Sequence, residues 1–173
     1  MKTVKFILPL LCLLTLACNN VPVVDVTPAD GGKDVKEDLI DANRLMAQSE
    51  ESQIDSYVGR RGWTMQRLSS GTRVMESARD VKHEAIDYED TVVFRYDMET
   101  LGGTTLYTAQ CDTVVVGKLK PTRGVDAALR TLHTGSSAVV IVPSQEAYGV
   151  VGDGDRIGSR MILVYKIKEI NKI

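Results

Sequence analysis

Histidine is almost missing from this sequence. Its two copies, His83 and His133, stand far apart without metal-ligand spacing, so a surface or hydrogen-bonded role suits them better than a zinc centre. Cysteine is nearly as scarce. Cys12, Cys18 and Cys111 are too few for a disulfide framework, and Cys111 reads as a small buried apolar residue, with a reactive thiol as the alternative if it is exposed. An excess of one charge is lacking too: the formal net charge is −2 over 173 residues with no basic stripe, which argues against nucleic acid as a partner. The apolar run Phe6 to Leu16 falls short of the ~20 residues that span a bilayer. Ser136 and Ser137 belong to no nucleophile motif. Gly152-Asp153-Gly154-Asp155 is only a fragment of a calcium or phosphate loop, and reads as a flexible loop. These absences leave no metal, cofactor or covalent nucleophile to expect.

What is present begins with a leader. Lys2 and Lys5 precede the apolar run, and Thr15-Leu16-Ala17-Cys18 closes it. The arrangement resembles the lipobox of bacterial lipoproteins, with threonine at the position where leucine is usual. The resemblance implies cleavage after residue 17 and lipidation of Cys18, and acyl chains on that residue would hold the protein stably at a membrane. Asn19 rather than aspartate follows the cysteine, which by the same resemblance implies the outer membrane, facing the periplasm. An ordinary secretory signal with a chance cysteine is the alternative.

Residues 18–36 hold Pro22, Pro28, Gly31 and Gly32 among scattered acids, the composition of a flexible tether. Residues 37–90 read as an N-terminal extension. A helix has thinly spaced apolar positions at Leu39, Leu45, Met46, Ile54, Tyr57 and Val58, and stops at Gly59 or Gly62. It is expected to dock on its own domain, with an arm for dimerisation or client holding as the alternative. A hairpin then turns at Ser69-Ser70-Gly71. Residues 91–173 read as the main domain. A strand at Thr91 to Met98 turns back at Leu101-Gly102-Gly103, and Val114 to Val116 is the next strand. Arg123 to Leu132 carries Val125, Ala128, Leu129 and Leu132 on one helical face, with Gly135 placed to cap it. Short antiparallel-type strands around a single helix predict an α+β domain in which a curved antiparallel sheet wraps over one short helix.

The most informative stretch is Ser137 to Gly149. Ala138 to Val142 has the β-branched composition of a buried strand, Pro143 ends it, and Ala147-Tyr148-Gly149 follows a short polar turn. With the strand Val92-Val93-Phe94-Arg95-Tyr96, Gly117-Lys118, the Arg123-Gly124 helix start and the last strand Leu163-Val164-Tyr165, the order resembles the FKBP-type peptidyl-prolyl isomerases.

The resemblance implies an FKBP-like fold, isomerisation of X–Pro bonds in proline-containing polypeptide clients, and no cofactor or metal. It implies catalytic roles for Tyr148, whose hydroxyl would bond the substrate carbonyl, and for Tyr96. Tyr165, Ile157, Val125, Leu106 and Thr122 would line the substrate pocket. Several positions depart from the family. Leu106-Tyr107 stands for phenylalanine-aspartate, so the acid is lost. Pro121-Thr122 stands for valine-isoleucine, Val125 for the tryptophan that floors the pocket, Gly158-Ser159 for two prolines, and Tyr165 for phenylalanine. Two functions follow: a membrane-anchored isomerase with weakened activity, assisting folding in the cell envelope, or a catalytically inactive FKBP-fold module that holds clients.

Overall fold

The computed structural model describes residues 32–77 and 84–173. The leader, Cys18, the tether up to residue 31, and His83 lie outside the described residues. The chain divides into two units, Met1–Leu39 and Ile40–Ile173, and the second holds the sheet. In order the elements are α1 (Gly32–Arg61), β1 (Gln66–Arg67), β2 (Arg73–Ser77), β3 (Thr91–Thr100), β4 (Thr105–Val115), α2 (Arg123–Leu129), β5 (Ser137–Val142), a 3-10 turn (Ser144–Glu146) and β6 (Leu163–Lys172). The last residues of the expected tether, 32–36, are already helical. No proline follows Gly32 in this segment to interrupt a helix. The helix stops at Arg61, where Gly62 takes a left-handed φ of 63°.

All six strands pair antiparallel in one sheet ordered β1-β2-β5-β6-β3-β4. The hairpin β1–β2, which the sequence groups with the N-terminal extension, joins this sheet through β2–β5 pairing. Side chains alternate between faces along each strand. Ala138, Val140 and Val142 of β5, and Leu163, Tyr165 and Ile167 of β6, pack on one side with Phe94, Tyr96 and Met98 of β3 and with Val125, Ala128 and Leu129 of α2. Ile141 and Val164 face the other way and pack with Ile54 and Tyr57 of α1. The helix therefore docks on its own domain through Ile54 and Tyr57, while Leu45 and Met46 stay exposed.

Two expected details differ. The cap of α2 is Arg130 rather than Gly135, because the helix closes at Leu129; Gly135, with a φ of 73°, serves the turn that enters β5. Strand β4 also runs much further back than Val114. Its first part, Thr105 to Asp112, is an edge strand of mostly polar residues with no apolar alternation to announce it. Cys111 lies there and is exposed rather than buried.

Gly124 shows why α2 can sit so close to the sheet. A Cβ at that position would lie 2.4 Å from Cγ1 of Val142 and 3.0 Å from Oγ1 of Thr72. Thr122 starts the helix, its hydroxyl accepting from the Val125 N–H at 3.3 Å. Among the described residues, no helix is long and apolar enough to cross a membrane.

Candidate active site

The middle strands carry the aromatic side chains. Tyr165 on β6 lies between Val140 of β5 and Met98 of β3. Its ring meets that of Tyr96 at 5.2 Å with a 45° tilt, and Tyr96 stacks on Phe94 at 5.3 Å. These spacings fall within the range of favourable aromatic pairs. Val125, at the first turn of α2, belongs to the same apolar cluster, as do Leu106 and Ile157. The sequence-predicted residues Tyr96, Tyr165, Val125, Leu106 and Ile157 are thus brought together, with Tyr148 and Tyr107 packed against them. Thr122 stands at the edge as the cap of α2, itself buried.

Burial separates these residues sharply. Val125 and Tyr165 are 0% exposed, Ile157 3% and Leu106 6%, whereas Tyr148 is only partly covered. The cluster is closed below, and Tyr148 is its accessible rim.

The hydroxyls are organised by acids. Tyr96 Oη donates to Asp112 Oδ2 at 2.9 Å. The acid that the sequence seemed to lose after the β3–β4 turn is therefore supplied five residues later. Ala109, at a φ of 53°, forms a bulge pinned by its N–H to Asp97 Oδ1 at 2.8 Å. Beyond it Phe94 pairs with Asp112, which puts the carboxylate beside the Tyr96 strand. Period-two counting back from Val114 would have exposed Asp112 as a candidate.

Tyr107, which stands where the family pattern has its acid, donates instead to Asp153 Oδ2 at 2.5 Å. Asp153 also accepts the Asp155 and Ile157 N–H groups through Oδ1. The Gly152–Asp155 stretch is thus a compact turn that fixes Ile157, and a side chain at Gly152 would strike the Ile157 carbonyl at 2.1 Å. Arg156 completes the wall, donating to the Leu106 carbonyl at 2.8 Å with its guanidinium 5.3 Å from the Tyr107 ring centroid.

These surroundings keep the phenols protonated. Burial, then the Asp112 charge and hydrogen bond, pushes Tyr96 up. The hydrogen bond to Asp153 pushes Tyr107 up to about 12. Burial raises Tyr148, although the neighbouring Tyr165 hydroxyl acts in the opposite sense. Tyr165 is held well above its ordinary value, by burial first and then by Tyr148 and Tyr96. Its hydroxyl is influenced by Thr122 and Tyr148 but makes no hydrogen bond of full geometry. Tyr148 is therefore a neutral donor in an apolar setting across the physiological range. Among the described residues, no group of histidine, cysteine and carboxylate side chains could hold a metal ion.

Residues 82–169 match the family described as FKBP-type peptidyl-prolyl cis-trans isomerase. The chain belongs to that family. The fold agrees with solved FKBP-type structures. A peptidyl-prolyl cis-trans isomerase from Pseudomonas syringae pv. tomato str. DC3000 superposes with a TM-score of 0.61 at 22% identity, over 75% of this chain and 94% of that one. AtFKBP13 gives 0.56 at 18% identity, over 64% of this chain and 100% of that one. The three-domain wheat FKBP73 gives 0.55 at 17% identity, over 64% of this chain and 48% of that one. No curated protein matches the sequence. In this FKBP-type fold the curled sheet and α2 enclose the cluster described above, and α1 and the β1–β2 hairpin precede the matched segment.

Proposed function

We propose that this FKBP-type chain isomerises X–Pro bonds in polypeptide clients within a bacterial cell envelope, at a rate below that of relatives with a complete pocket floor. The observation that carries the proposal is the apolar cluster with the partly exposed Tyr148 at its rim. Rotation about an X–Pro bond has to overcome amide resonance, a barrier of ~18–20 kcal/mol. The twisted amide is less polar than the planar one, so a water-poor apolar surface favours it. A neutral phenol placed to donate to the substrate carbonyl would orient the peptide and stabilise the rotating amide. Tyr96, held by Asp112, and Tyr165 supply aromatic surface; Ile157 and Leu106 supply the aliphatic walls, and Thr122 borders them.

The reduced rate follows from Val125. Valine covers far less area than an indole, and losing a buried aromatic contact is a matter of about 2–4 kcal/mol. At tenfold per 1.36 kcal/mol, that is roughly one to three decades. Refolding of a protein limited by prolyl isomerisation tests the reading: weak but measurable acceleration is expected. The resemblance of residues 15–18 to a lipobox supports anchoring through lipid on Cys18, with the outer membrane favoured. The intact mass of membrane-extracted protein should show a chain starting at Cys18 with acyl mass; a mature chain without it would refute the anchor.

One observation favours a second reading. Val125, Tyr165, Ile157 and Leu106 expose almost no surface, so little room is left for a proline ring. An FKBP-fold module that holds clients without catalysis would show binding of an unfolded, proline-free polypeptide alongside no acceleration of refolding.

A further inference from the structure

The turn that carries Tyr148 is held by a helix outside the segment that matches the family. Glu50 lies on α1, 94 residues before Ser144. Its carboxylate accepts twice from that serine: the Ser144 N–H reaches Oε2 at 2.9 Å, and the Ser144 hydroxyl reaches Oε1 at 2.5 Å. Ser144 is 1% exposed. Its own carbonyl accepts from the Ala147 N–H at 3.1 Å and the Gly149 N–H at 2.8 Å, the two residues flanking Tyr148. The Tyr148 carbonyl accepts from Gly152, and the Gly149 carbonyl from Arg160. Every link from the α1 carboxylate to the backbone on either side of Tyr148 is therefore a hydrogen bond of ordinary length. Bonds to a charged acceptor are the stronger kind, and a bidentate one fixes orientation as well as distance.

The helix has a separate attachment that does not pass through this turn. Arg73 on β2, nearly buried, donates to Asp55 at 2.7 Å and to Glu51 at 3.2 Å, while Ile54 and Tyr57 pack on the sheet. Losing Glu50 would thus free the turn without undocking α1.

We propose that Glu50 is a positioning residue for Tyr148, and that α1 sets the placement of the pocket tyrosine through Ser144. The inference rests on the isomerase reading for its catalytic consequence and on geometry alone for its structural one, so the test has an arm for each. Residue-resolved amide hydrogen exchange on Glu50→Ala, Glu50→Gln and Asp55→Asn supplies the first. Glu50→Ala should speed exchange at Ser144, Ala147 and Gly149 by roughly tenfold or more, with Val140 and Val164 in the sheet unchanged. Glu50→Gln keeps an acceptor of the same shape and should restore most of the protection. Asp55→Asn weakens the Arg73 tie and should leave the turn as it is. Equal protection of the turn in Glu50→Ala and wild type overturns the proposal, as does an equal loss in Asp55→Asn. In the second arm, prolyl-peptide isomerisation, Glu50→Ala should lower kcat by roughly three- to tenfold with KM less affected. A rise in KM alone, with kcat unchanged in an active enzyme, would also count against the role. An inert wild type would sink the isomerase reading and leave the exchange arm to decide the clamp.

Discussion

The two faces of the sheet are held in different ways. On the α2 side, aromatic and aliphatic side chains from β3, β5 and β6 fill a dry space, and the polar atoms within it are few. Two of those, Tyr165 Oη and Asp126 Oδ2, have no hydrogen-bond partner among the described residues, although Asp126 Oδ1 ties the Gly117 N–H at 2.7 Å. On the α1 side the buried contact is small, and specific polar ties do much of the holding: Glu50 to Ser144, Arg73 to Glu51 and Asp55, and the Tyr57 hydroxyl to Glu99 at 3.4 Å. Packing makes one face sensitive to volume. Directed bonds make the other sensitive to charge and hydrogen-bond geometry. A site built on the first face can be adjusted from the second with its apolar packing untouched.

The largest effect should come from the apolar patch where the α1 face does rely on volume. Tyr57 is fully buried, packs edge-on to Trp63 at 5.9 Å and lies under the Arg61 guanidinium at 3.6 Å. Tyr57→Ala should cost about 3–5 kcal/mol, read from denaturant unfolding. A loss under about 1 kcal/mol would mean that the polar ties alone hold α1.

Next comes the floor. Because Val125 is completely enclosed, Val125→Trp should overpack the cluster and cost about 1–3 kcal/mol. Adding Tyr165→Phe, which removes the unpaired hydroxyl, should recover part of that loss. If Val125→Trp instead raises both stability and isomerase rate, the cavity is wider than the enclosed valine indicates.

A smaller effect is expected at the rim. Tyr148→Phe removes one neutral hydrogen-bond donor and should lower kcat/KM about three- to tenfold, with stability hardly changed. An unaltered rate in an active enzyme would remove Tyr148 from the mechanism.

The smallest concerns pH. Glu76 on β2 is pushed up by burial, but hydrogen bonds from Ser136 and from the backbone and ring of His133 outweigh this and draw it below its ordinary value of 4.5. A carboxylate depressed in the folded state adds stability that is complete above about pH 4.5 and is lost as pH falls through the lower folded value. Glu76→Gln should therefore flatten part of the acid limb of urea midpoints against pH. Superimposable limbs would show that the depression has no bearing on stability.

Much of this arrangement could be read from the residues. The β-branched run before Pro143, the Thr122-Arg123-Gly124 helix start and the aromatic positions on β3 and β6 all follow local rules of composition and period. Tyr96, Tyr165, Val125, Ile157 and Leu106 do meet. What the sequence hid were relations across long separations and along polar edges. Glu50 is one of many acids on a thinly patterned helix, and nothing local links it to a serine 94 residues away. Asp112 sits in an edge strand whose polar residues mimic a loop, and the bulge at Ala109 breaks the count that runs to it from the β3–β4 turn, leaving only the count back from Val114. The Tyr107–Asp153 pair exchanges the expected positions of acid and aromatic, which no search for an acid after the turn would find.

The sheet order also governs when this protein can become itself. β6, the final strand, lies between β5 and β3 and pairs with both. Until residues 163–172 have left the ribosome, the β2–β5 and β3–β4 pairs have no shared partner, and the aromatic cluster has no Tyr165. Assembly therefore waits on the last strand to be made, a high-contact-order closure of the kind that folds slowly. A growing chain halted before that point would carry two half-sheets with bare apolar faces, the form most in need of protection by others.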